Sequence, residues 1–210
     1  LHEAEELVAL AKETGLVNAV HFNLRYYPLV RQMKTMREKG DLGEIYSIIG
    51  SYLQDWLFYN TDYNWRLEPD KSGDSRAIAD IGSHLMDIIE YITGLKISEM
   101  CADLSIFVPG RKLDDDGNVL LRFENGAKGI LHASQICNGE ENNLNIRVYG
   151  EKGGIAWRQM EPNTLTVMYQ DKPSTIFRTG WAGLEREAIA HTRIPAGLER
   201  GDHQLASGAR

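Results

Sequence analysis

The residues with the clearest chemical potential share one helix. From Arg76 to Thr93, Ile78, Ile81, Leu85, Ile88, Ile89 and Ile92 recur at helical spacing, and Gly94 ends the pattern. At about 100° per residue, Asp80, His84, Asp87 and Tyr91 form a second stripe, roughly 110° from the apolar one. Asp80 and His84 are four residues apart, so a carboxylate can orient or charge an imidazole. A group titrating near neutral pH and held by a fixed partner suits general acid/base work. Gly82 and Ser83 keep the intervening surface small, and Asp87 has the place of a supporting residue. Two other readings share this spacing. One is a plain solvated face; the other is a metal site of Asp80, His84 and Asp87 in a hydrolase. Spacing alone does not choose among the three.

Other elements must position that helix. Residues 1–14 read as helix, with Leu7, Val8, Leu10 and Ala11 on an apolar side, and Val17 to Asn23 reads as a short strand. No cap or turn precedes the opening helix, and the first residue is Leu1, so we expect a fragment of a longer chain. Pro28 suits the first turn of a helix to about Lys39, with Leu29, Val30, Met33 and Met36 facing inward. Residues 44–56 form a strand candidate, and 57–75, without a clear period, read as a long functional loop or lid. From Ile97 the pattern alternates, with strands expected near 97–108, 118–124, 127–137, 143–150, 153–159, 164–170 and 175–178. Asn125-Gly126 between two of them is a hairpin signal. The expected fold class is α+β: a mostly antiparallel open sheet with helices on one face. Its other face needs cover, which a second subunit would supply.

Composition narrows the function classes. The chain has 210 residues, 42% hydrophobic and 25% charged, which is enough for a sizeable core. A formal charge of -7 argues against nucleic acid, which needs a basic face. No apolar run approaches the ~20 residues of a membrane span, so no membrane partner is expected. Cys101 and Cys137 read as reduced, buried strand residues of a cytoplasmic protein. Asp114-Asp115-Asp116-Gly117 lacks the spaced ligands of a calcium loop and reads as a hairpin turn. His2, His21, His132, His191 and His203 show no partner in the sequence and default to structural or surface roles.

Asp80-Ile81-Gly82-Ser83-His84 with Asp87 following resembles the signature of the glucose–fructose oxidoreductase/inositol dehydrogenase (Gfo/Idh/MocA) family, in its second domain. Asn23-Leu24-Arg25-Tyr26-Tyr27-Pro28 is similar to its Asn-x-Arg-x-x-Pro segment. Gly40-Asp41-Leu42-Gly43-Glu44-Ile45 resembles its turn into the first long strand. Trp65-Arg66 and Phe123-Glu124-Asn125-Gly126-Ala127 also have counterparts there. Ser72-Gly73-Asp74-Ser75-Arg76 departs from the pattern by placing a charge where relatives often have glycine.

The resemblance implies a dihydrodipicolinate-reductase-like C-terminal domain over residues 1–197 that binds substrate and oligomerises through its sheet. Residues 198–210 form an atypical tail, because the similarity stops after Arg193-Ile194-Pro195-Ala196-Gly197. An N-terminal Rossmann domain outside this chain would bind NAD or NADP, leaving this piece inactive alone. The family's Glu-Lys-Pro lysine would lie outside as well. Gly150-Glu151-Lys152-Gly153-Gly154 has the wrong spacing for a dinucleotide turn. The implied substrate is a sugar, polyol or derivative. His84 would be the acid/base and Asp80 its neighbour; Arg25, Tyr26, Trp65 and Arg66 would contact substrate, with Tyr27 also in reach. For Arg25 a structural salt bridge, and for Trp65 loop packing, stay open. A non-catalytic binding or assembly module on the same fold is the alternative function.

Overall fold

The computed structural model describes residues 2–181 and 183–192; expectations for Leu1, for Arg193 to Gly197 and for the 198–210 tail, His203 included, fall outside the described residues. Helices are α1 (His2–Thr14), α2 (Pro28–Glu38), α3 (Pro69–Ser72), α4 (Ser83–Thr93) and α5 (Arg186–Ala190). Strands are β1 (Ile45–Leu53), β2 (Ile97–Ser105), β3 (Asp116–Phe123), β4 (Lys128–Ser134), β5 (Asn143–Gly150), β6 (Gly154–Arg158), β7 (Thr164–Met168) and β8 (Thr175–Arg178). They form one eight-stranded sheet in the order β2-β3-β4-β1-β5-β6-β7-β8. Every pairing is antiparallel except β1 with β4. The open, mostly antiparallel sheet matches the expected class.

Packing of α2 and α4 on one sheet face builds the core. The α4 residues Leu85, Ile88, Ile89 and Ile92 are wholly buried, as are Leu29, Val30 and Met33 of α2. The helix approaches so closely that a Cβ on Gly50 of β1 would lie 2.9 Å from a Leu85 methyl, so any larger residue there would make the Leu85 side chain shift. Gly94 ends α4 at φ +69°, and Arg37 Nε donates to the Ile92 carbonyl at 2.9 Å, meeting one of the helix's orphan acceptors. In the β3–β4 hairpin the Asn125 amide donates to the Ile45 carbonyl at 3.0 Å and ties the turn to β1. The opposite sheet face carries Leu120, Ile130 and Ile49 in one cross-strand row, 61%, 50% and 44% exposed, followed by Arg147.

Five expectations are corrected. Residues 17–22 form no strand; Val17 and Val20 are exposed, and extended propensity is not realised without a pairing edge. The apolar side of α1 likewise buries nothing among the described residues. Cys101 and Cys137 are free thiols, but Cys101 is exposed on edge strand β2 and Cys137 is half-buried beyond β4. The Asp114–Gly117 run is not a hairpin turn. Asp116 and Gly117 open β3, while Asp114 and Asp115 precede it with carboxylates turned to backbone amides. His132, expected to lack a partner, pairs through Nε2 with Asp116 at 2.8 Å.

Asp114 is the cap the candidate helix needs. Its carboxylate accepts from the Arg76 amide at 2.8 Å and the Ile78 amide at 3.0 Å, and its carbonyl accepts from Arg76 Nε at 3.1 Å. Asp114→Ala should therefore destabilise the protein by about 1–3 kcal/mol. The check is a lower urea midpoint at unchanged slope; an unaltered midpoint would show that other donors and acceptors cap the helix.

Candidate active site

The candidate helix begins with a wide turn. Residues Ile78–Gly82 wind as a π-helix and pass directly into α4, so the expected single helix from 76 to 93 carries an irregularity at Asp80. Such π segments recur at functional sites because they re-aim a side chain without ending the helix. Gly82 is buried inside this turn, where a Cβ would meet the Ile78 side chain at 3.3 Å. Its small size thus serves packing within the helix.

The Asp80 carboxylate is held from two directions. Gln135, just past β4, donates Nε2–H to Oδ2 at 2.9 Å, and Arg66 Nε lies 3.2 Å from the same oxygen. Among the described residues no hydrogen bond joins Asp80 to His84, so the expected carboxylate–imidazole pair is not formed. Asp80 Oδ2 is taken instead by the Gln135 amide and by the Arg66 guanidinium, a charge-assisted partner. Arg66 is itself held over the Trp65 ring, with Cζ 4.6 Å from the centroid. Trp65, Arg66, Lys71, Ser72, Ser75, Arg76, Ala79 and Asp80 line a cleft of about 250 Å³.

His84 sits between aromatic walls. Phe22 meets it edge-on with centroids 5.4 Å apart, Tyr52 of β1 lies 6.4 Å away, and the buried Nδ1 has no hydrogen-bond partner among the described residues. Burial pushes the Tyr52 phenol above its usual range, partly offset by its hydrogen bond to Asn142. Hydrogen bonds continue from Tyr52 through Asn142 to the end of β1: Gln54 Nε2 donates to Asn142 Oδ1 at 2.7 Å, and Trp56 Nε1 donates to Gln54 Oε1 at 2.9 Å.

One turn on, Asp87 takes both Nε and Nη2 of Arg25, Nε at 2.7 Å. The hydrogen bond to Asp87 raises the Arg25 pKa above its usual value, against desolvation. Arg25 is thus engaged in the structural salt bridge that the sequence left open. Tyr26 is exposed, stacked on His191 at 6.0 Å, and points to the Tyr91 end of the stripe, not to Asp80. Tyr27 packs on Trp157 at 5.2 Å.

The structure therefore brings together Asp80, Arg66 and Trp65 at one end of the stripe, His84 in the middle, and Asp87 with Arg25 beyond it. Asp80, His84 and Asp87 turn to different partners, and among the described residues no group of three His, Cys, Asp or Glu could hold a metal ion. Phe22, Tyr52 and Gln135 were not legible as site residues. The available signal for Gln135 was the break in alternation at Ser134-Gln135, both fully buried. The Gly150–Gly154 run joins β5 to β6, so it is no strand-to-helix phosphate turn.

Comparison with known proteins agrees on the fold. Residues 30–156 match the GFO/IDH/MocA C-terminal domain. The levoglucosan dehydrogenase of Pseudarthrobacter phenanthrenivorans is 29% identical over 86% of this chain and 53% of its own. The uncharacterized oxidoreductase YfiI of Bacillus subtilis is 30% identical over 92% of this chain and 51% of its own. The crystal structure of an inositol dehydrogenase homolog from Azotobacter vinelandii, complexed with NADH and myo-inositol, superposes with a TM-score of 0.86 at 27% identity, covering 93% of this chain and 51% of that one. The chain spans about half the length of these relatives.

A double-mutant cycle tests whether Arg25 and Asp87 act as a structural pair. The coupling energy between Arg25→Ala and Asp87→Ala should be about 1 kcal/mol of folding stability, kept small because the Arg25 side chain is 41% exposed. Zero coupling in urea unfolding would return Arg25 to the free substrate contacts.

Proposed function

The chain belongs to the GFO/IDH/MocA family, and on that premise we propose that it is the substrate domain of a nicotinamide-dependent dehydrogenase acting on a sugar, polyol or derivative. The observation that carries this reading is the stripe itself. A histidine between aromatic walls follows an aspartate pinned by Arg66 and Gln135, beside a cleft. Relatives crystallised with NADH and myo-inositol support the cofactor and substrate class.

The nicotinamide, when bound, supplies hydride chemistry. It is NAD or NADP, held mainly by a preceding domain, because the described residues offer no phosphate-cradling turn. His84 takes the hydroxyl proton as the carbon is oxidised and returns it in the reverse direction. Asp80, its lone pairs directed by Arg66 and Gln135, accepts hydrogen bonds from substrate hydroxyls. The Trp65 face offers an apolar surface to a sugar ring, and Arg66 sits against it. Tyr26 and Arg25 lie farther along the stripe and contact only the distal part of a substrate.

In the full-length enzyme, His84→Ala should lower turnover by roughly two to four orders of magnitude, with little change in nucleotide affinity. Asp80→Asn and Gln135→Leu should raise KM more than they lower kcat, since both alter an acceptor that positions substrate. Near-normal turnover in His84→Ala would reduce the polar stripe to a solvated face, whereas no turnover in the parent protein would leave the alternative, a binding or assembly module on this fold.

The open sheet face is the proposed self-association surface, because Leu120, Ile130 and Ile49 form an apolar row there. Sedimentation at micromolar concentration should show a dimer or larger, and Ile130→Lys should shift it toward monomer. A monomeric parent protein would overturn this. No helix among the described residues is long and apolar enough to cross a membrane.

A further inference from the structure

The far end of the stripe carries an excess of positive charge that the reading above does not use. Three cations surround the Tyr91 ring: Arg25 Cζ at 5.1 Å, Arg31 Cζ at 5.3 Å and Lys34 Nζ at 5.6 Å. Arg25 is neutralised by Asp87 and Lys34 by Glu38. Arg31 has no ion pair and no side-chain hydrogen bond among the described residues, and its Nε is buried without a partner. Its guanidinium is instead held by two rings, 5.3 Å from the Tyr26 centroid and 5.3 Å from that of Tyr91. The Tyr91 hydroxyl beside it is also buried without a partner.

A guanidinium stacked on aromatic faces has already lost much of its rotamer freedom, and its planar fork matches a carboxylate or phosphate. Leaving such a group half-buried and unpaired costs stability that an oxyanion would recover. Tyr91 follows His84 by seven residues on the same stripe, about 10 Å along the helix axis at ~1.5 Å per residue. An anionic substituent there would belong to an elongated molecule whose reacting carbon lies at His84.

We propose that Arg31, held between Tyr26 and Tyr91, is the anchor for an anionic group of the substrate, so that this protein takes a sugar phosphate or sugar acid in preference to a neutral sugar. The inference rests on the reading of the His84 stripe as a substrate site. Arg25 and Lys34 add to the attraction, but their own carboxylates offset most of it, so Arg31 carries the discrimination.

The test is calorimetry on the full-length protein with glucose 6-phosphate, glucuronate and glucose. At least one anion should bind about tenfold or more tightly than glucose at low salt, and the advantage should shrink at roughly 0.5 M salt. The first two ligands tell a phosphate site from a carboxylate site. Arg31→Gln should abolish the advantage and leave glucose affinity unchanged, while Arg31→Lys should keep part of it. Neither anion binding more tightly than glucose in the parent protein would overturn the proposal, even if the variants fail to fold. An advantage that persists in Arg31→Gln, or an equal weakening of all three ligands, would overturn it too. A parallel NADH titration separates the readings: absent NADH binding removes the dehydrogenase, whereas the anion comparison still decides Arg31.

Discussion

Burial of the apolar face of α4 against the sheet is the constraint on which the site depends. Leu85, Ile88, Ile89 and Ile92 have no exposed surface, and at ~1.5–3 kcal/mol each their burial amounts to an upper estimate of roughly 6–12 kcal/mol. No polar contact on the helix approaches that figure. The half-buried pair of Arg25 with Asp87 contributes on the order of 1 kcal/mol. The apolar stripe therefore sets the rotation of the helix, and the polar stripe must take the direction that remains. Gly50 lets the helix settle close enough for Tyr52 on the same strand to reach the His84 ring.

Within that rotation, the π-turn and the Asp114 cap tune the start of the helix. Asp114 closes the first amides, and Arg76, wholly buried with its pKa lowered chiefly by desolvation, returns a hydrogen bond to the Asp114 carbonyl. Arg76, one of the two charged residues in that approach, is thus buried within the cleft lining. Asp115 at 3.9 Å provides part of its compensation.

The sheet divides the labour between its faces. One carries the helices and, through Tyr52 and the residues just beyond β1 and β4, the walls of the site. The other is left with an apolar row interrupted by Arg147. The proposed chemistry and the proposed association thus fall on opposite faces of the sheet, linked through β1, whose Ile48 and Tyr52 face the helices and whose Ile49 faces outward.

Much of this was legible from local pattern. The two stripes of the helix, the inward residues of α2, the seven later strands and the Asn125-Gly126 hairpin follow from side-chain period and turn chemistry, because burial imposes those periods residue by residue. The charged partners were not legible in the same way. Asp80 meets Gln135 and Arg66, and Asp87 meets Arg25, across 55, 14 and 62 residues of chain. A side-chain pair at that separation exists only once the sheet has brought β4, the 57–75 loop and the 23–26 turn to one end. The insertion of β1 between β4 and β5, parallel to one and antiparallel to the other, is likewise a property of the assembled sheet. Residues 17–22 show the converse: they have strand composition but no pairing edge, and they stay irregular. The sequence by itself determined which side chains face the core and which helix face is polar, since both depend on the chain's own period. Only the tertiary structure decided which donors Asp80 would find, because hydrogen-bond partners are chosen by proximity after folding, and proximity is not written in spacing.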